Sequence, residues 1–195
     1  EVDAYSKDGK MGKYNVGKIS KDTKTASIYT TISKQNLLNE YFAIASSDIN
    51  AMPNPATKIN NIDESYIKDV KKSLGMYRIF NMSVKITEVY DIVLSDIEKG
   101  YIIFATNEVN KGKGAYSAIV YVSSTGKSKL IKYNYINNKD NAEEWPIYSL
   151  NFVADLNQDG TSEILIQETK EFEVKYDVIE YKNNNFYEIM SSVVK

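Results

Sequence analysis

Two periodicities divide the chain. Val84, Ile86, Tyr90, Ile92 and Leu94 alternate with polar residues, and the period of two returns in 131–135, 148–154 and 172–178. Each stretch predicts a strand with one buried face. Tyr101-Ile102-Ile103-Phe104, Tyr116 to Val122, Ile164-Leu165-Ile166 and Phe186 to Ile189 add further strand-like runs. Turn residues separate them: Lys99-Gly100, Ser124-Thr125-Gly126-Lys127, and Lys182-Asn183-Asn184-Asn185, whose asparagines suit positive φ. The pattern predicts a meander in which Phe172, Val174, Tyr176 and Val178 face inward and Glu173, Lys175 and Asp177 outward. Glu168, Glu171 and Glu173 read as a solvent face, and tyrosines at alternate positions as core and cross-strand pairs.

The first third reads differently. Residues 1–12 lack periodicity and predict a frayed start. Tyr14–Val16 and Ala26–Ile32 read as a hairpin joined through Lys21-Asp22-Thr23-Lys24. Leu38, Tyr41, Phe42 and Ala45 share one face at helical spacing and predict a helix over about 36–46. Asp48 to Ile62, with Pro53 and Pro55, reads as a linker. Asn61 or Asp63 then caps a second helix in which Ile67, Val70 and Leu74 share a face, and Gly75 ends it. The expected fold is α+β, mainly antiparallel β: a meander of six to eight strands with an N-terminal hairpin and two helices. Residues 1–76 would form the hairpin and helix subdomain and 77–195 the β domain, or both one compact unit.

Composition removes whole classes of chemistry. A net charge of -2, with no dense basic run, argues against nucleic acid as a partner. No apolar run is long enough to span a bilayer. With neither histidine nor cysteine, the chain cannot build a Ser-His-Asp triad, a thiol nucleophile or a zinc-thiolate site. A first residue other than Met suggests a trimmed, exported product, secreted or attached to the cell surface as a lipoprotein.

One stretch demands a particular chemistry: Asp155-Leu156-Asn157-Gln158-Asp159-Gly160-Thr161-Ser162-Glu163. Asp155, Asn157 and Asp159 at alternate positions can aim three oxygen-bearing side chains at one point. Gly160 permits the sharp turn, the Thr161 carbonyl adds an oxygen, and Glu163 closes the shell from the next strand. Flexible oxygen coordination suits Ca²⁺ better than Mg²⁺. An EF-hand needs an acidic residue at the twelfth position, which here is Ile166, and helical flanks, which here read as strands. The bland alternative is an Asx-rich turn that binds no ion.

Strand, D-x-[DN]-x-D-G-x-x-[DE], strand resembles the calcium loops of FG-GAP and VCBS-type repeats over about residues 148–189. The resemblance implies Asp155, Asn157, Asp159, Thr161 (backbone) and Glu163 as ligands of a structural Ca²⁺. It covers one loop, lacks the Phe-Gly and Gly-Ala-Pro signatures, and has Glu in place of Asp at the ninth position, so the loop is expected here and the propeller is not.

Function reads as a calcium-stabilised binding or scaffold protein of the bacterial surface, its partner an unidentified protein or glycan. The alternative is a carboxylate-based glycan hydrolase or carbohydrate-binding module using Glu143 and Glu144 beside Trp145. Ser123-Ser124 and Gly112-Lys113-Gly114 lack the context of a nucleophile elbow or phosphate loop.

Overall fold

The computed structural model describes residues 56–75, 83–107, 115–136, 145–157 and 159–193 in full. It describes the backbone alone of residue 194 and of strand segments 2–6, 9–14, 20–22, 25–27, 41–44 and 53–54.

The N-terminal strands are β1 (Val2–Ser6), β2 (Gly9–Tyr14), β3 (Ser20–Asp22), β4 (Thr25–Ser27) and β5 (Tyr41–Ile44). β1 is the centre of a three-stranded sheet ordered β2-β1-β5, and β3 pairs with β4. Residues 2–6, expected to fray, are therefore paired on both sides. Tyr41–Ile44 is a strand where a helix was expected. A run of aromatic and β-branched residues favours the extended form once a neighbouring strand offers its backbone. Of the expected hairpin, the described residues show β3 paired with β4, Ser20 facing Ser27 and Asp22 facing Thr25; the remainder lies outside the described residues.

The rest of the described chain stacks in three layers. β6 (Pro53–Asn54), β7 (Thr57–Lys58), the helix α1 (Glu64–Gly75), β8 (Lys85–Val93), β9 (Lys99–Thr106), β10 (Ala115–Ser123), β11 (Ser128–Ile136), β12 (Ile147–Ala154), β13 (Glu163–Thr169), β14 (Val174–Lys182) and β15 (Asn185–Val194) follow in order. They form two five-stranded antiparallel sheets, β11-β10-β9-β8-β7 and β15-β14-β13-β12-β6. The expected meander thus splits between β11 and β12. Residues read as a linker supply an edge strand to each sheet, a position proline tolerates because no ladder N–H is needed there.

The sheets pack face to face. Ile92, Ile102, Phe104, Ile119 and Tyr121 from one meet Val153, Ile164, Ile166 and Ile179 from the other, all buried. Val70 and Leu74 of α1 cover the opposite face of the first sheet, against Val89, Ile103, Tyr116, Ala118 and Val120. The helix begins where its cap predicts: the Asp63 carboxylate accepts the Ser65 backbone N–H at 2.7 Å. It is the only helix among the described residues, against the two expected, and no helix among them is long and apolar enough to cross a membrane.

One predicted turn follows its residue types and another does not. Asn183 and Asn184 take φ of 51° and 61°, joining β14 to β15. Gly100 does not form the expected turn: it lies in β9, where an added Cβ would run into the Val122 carbonyl and stand 2.9 Å from Ser123 Cα. Gly100→Ala must push two backbones apart, and an expected loss of about 1–3 kcal/mol is measurable by urea unfolding.

Candidate metal centre

The Asp-rich loop leaves β12 at Ala154 and enters β13 at Glu163, with strands on both flanks. Its own side chains hold its turns. Asp155 Oδ1 and Oδ2 accept the backbone N–H groups of Asp159 at 3.2 Å and Gly160 at 2.9 Å. Asn157 Oδ1 accepts the Asp159 N–H at 3.0 Å, and Asp159 Oδ1 accepts that of Thr161 at 2.8 Å. The Asn157 amide donates to Asp159 Oδ2 at 3.2 Å. Gly160 sits at φ 85°, where a side chain would be strained. The loop is also tied across the sandwich, because Ser162 N–H donates to the Leu94 carbonyl beyond β8 at 2.6 Å.

Glu163 is 1% exposed. Its Oε2 accepts the Leu156 N–H at 2.7 Å, while its Oε1 is buried with no hydrogen-bond partner. Burial pushes its pKa above 4.5, two backbone hydrogen bonds oppose the shift, and the Asp159 and Asp155 charges add to it. A buried carboxylate oxygen without a partner is costly. A cation beside it would remove that cost.

Asp155, Asn157 and Asp159 are joined by these hydrogen bonds, and Glu163 lies close enough to both aspartates to feel their charge. Thr161 enters through its N–H; the direction of its carbonyl is not part of that network. Among the described residues no three acidic side chains converge tightly enough to form a finished metal shell. The donor set nevertheless fits a hard cation: oxygen ligands at alternate positions, three carboxylates and one orphaned buried oxygen.

A second cluster escaped the sequence reading. Glu168, expected on a solvent face, is 6% exposed, and Asp177, expected to point outward, is fully buried. Both face the other sheet. Lys132 reaches across from β11, hydrogen-bonding Asp177 and lying 3.4 Å from Glu168 Oε2 and 3.2 Å from Glu188 Oε2. Burial would raise the pKa of Asp177, but the hydrogen bond from Lys132, the ion pair with Lys175 and the contact with Ser191 outweigh it and hold that pKa below 3.8. The signal for Glu168 was present: Ile164, Ile166 and Glu168 share one face at a period of two.

Glu143, Glu144 and the 112–114 loop lie outside the described residues. Tyr116, Tyr121 and Tyr148 are buried, and Tyr121 donates to Glu98 at 2.7 Å. The chain matches no protein-family model, no curated protein and no solved structure.

Proposed function

We propose that the loop 155–163 binds one structural Ca²⁺ and that the protein is a calcium-stabilised binding or scaffold module working outside the cell, with a protein or glycan as partner. Asp155, Asn157, Asp159, the Thr161 carbonyl and Glu163 would hold the ion. The observation that carries the reading is Glu163 Oε1, buried without a hydrogen-bond partner at the closing position of the loop.

The charge balance supports it. Three carboxylates carry a formal -3, which a divalent ion reduces to -1, and Glu163 responds to both aspartates in the loop. The chemistry the ion supplies is neutralisation and rigidity. No side chain in the described loop is a histidine, thiol or lysine that a bound cation would activate, so the reading is structural. Loops of this kind in extracellular modules bind with dissociation constants on the order of 10⁻⁴–10⁻³ M. Calcium levels outside cells can fill such a site, which is why the reading places the protein there.

Isothermal calorimetry on the chelator-treated protein is expected to show one Ca²⁺ bound per chain. Glu163→Gln removes the closing charge while keeping the shape, and should weaken binding at least tenfold. Absence of any binding at millimolar Ca²⁺ would sink the proposal.

A further inference from the structure

Lys132 leaves β11 in one sheet, and its amino group sits among carboxylates on three successive strands of the other: Glu168 on β13, Asp177 on β14 and Glu188 on β15. Asp177 is fully buried. Its Oδ2 takes the hydrogen bond from Lys132, while its Oδ1 is 2.8 Å from Lys175 Nζ, an ion pair without hydrogen-bond alignment. Lys175 also lies 3.5 Å from Glu188 Oε1, and Lys170 lies 3.4 Å from Glu168 Oε1. The Tyr148 ring covers the Lys132 amino group at 5.9 Å.

We propose that Lys132 and Asp177 condense, within the folded protein, into an isopeptide bond that crosslinks the two sheets. The resting pair is ionic. Transfer of one proton from the ammonium to the carboxylate gives a neutral amine and a carboxylic acid, a state that burial favours and the cations around Asp177 oppose, so the neutral pair is the reactive minority form. Glu168, 3.4 Å from Nζ, is placed to carry that proton. The amine lone pair then attacks Asp177 Cγ, a C–N bond forms, and the carbonyl electron pair moves onto Oδ1. The Lys175 ammonium stands where it stabilises that negative charge. On collapse, Oδ2 leaves as water with the C–O bond, and the amine gives up its remaining extra proton through Glu168. The products are one amide and one water, with no oxidant, reductant or cofactor consumed. Confinement of the two groups in contact supplies what dilute amine and acid lack in water.

The test is the intact mass of the purified, folded chain, followed by tryptic digestion. The expected mass is lower than that of the sequence by one water, and the digest should hold a branched peptide joining 130–139 to 176–182 through Lys132 and Asp177. Cyclisation of Glu1 would give the same mass loss, so the branched peptide decides. Glu168→Gln keeps both reacting groups and should slow the bond's formation at least tenfold while leaving the circular dichroism spectrum unchanged. A folded wild-type chain with no branched peptide overturns the proposal, as does a branch through Lys175. Unchanged kinetics in Glu168→Gln overturn the role given to Glu168.

Discussion

Lys132→Met is expected to destabilise the folded protein by about 3–5 kcal/mol through loss of the ion cluster alone, because it strands carboxylates that burial keeps from water. Asp177 would keep only Lys175 and Ser191, and Glu168 only Lys170. Methionine fills most of the lysine's volume, so the loss reports charge rather than a cavity. The sign against pH follows from Asp177, whose carboxyl is held below 3.8 in the fold. Its contribution is present above that value and fades as pH falls through the lower, folded one. Urea unfolding at neutral pH should show the full loss against chains that still carry the ionic pair, and those chains and the variant should converge in acid; a condensed chain has no Asp177 carboxyl to titrate and should stay above the variant at every pH. Adding Asp177→Leu to Lys132→Met removes the stranded charge and should recover part of the loss. A loss below about 1 kcal/mol in the single variant would mean that the cluster is solvated, as surface ion pairs are.

The two clusters do different work in one sandwich. The Asp-rich loop lies at the end where Ser162 meets Leu94, and Lys132 joins the sheets through the inner face of β13, β14 and β15. In the proposed reading, calcium secures the first connection as Lys132 secures the second.

Local rules were legible wherever local chemistry decides. Asp63 caps α1 because its carboxylate reaches an otherwise orphaned N–H, and Asn183 and Asn184 turn the last hairpin because they tolerate positive φ. β8, β11 and β12 show a period of two, whereas β9 and β10, packed between α1 and the second sheet, are apolar on both faces and read as continuous runs. Failure came where partners decide. Tyr41–Ile44 has the spacing of a helix face but lies against β1, and no spacing along one strand reveals its neighbour. The faces of β14 were inverted because charge was read as exposure. Asp177 pairs with Ile166 and points into the sandwich, where Lys132 and Lys175 make its burial tolerable. A bulge between Val178 and Ile179 then shifts the alternation, so Val178 and Ile179 are buried in succession. The loop's residues were legible as a group because their spacing is local. The burial of Glu163 was not, since it depends on the packing around the start of β13.

The central claim is that 155–163 holds a calcium ion, and thermal unfolding with calcium and with chelator tests it most directly. At about 100 times its dissociation constant, an ion that binds only the folded state adds roughly 2.7 kcal/mol. For a chain of this size that raises the midpoint by about 5–11 °C. The pH dependence sharpens the comparison. Without metal, Glu163 has a raised pKa, so its contribution to stability is fully present below 4.5 and is lost as pH rises through its folded value. The calcium effect should therefore grow from acid toward neutral pH, and magnesium at the same concentration should give much less of it. The account predicts a midpoint at neutral pH that rises with calcium, falls back with chelator and is insensitive to both in Glu163→Ala; an identical midpoint with calcium and with chelator in the wild type would contradict it.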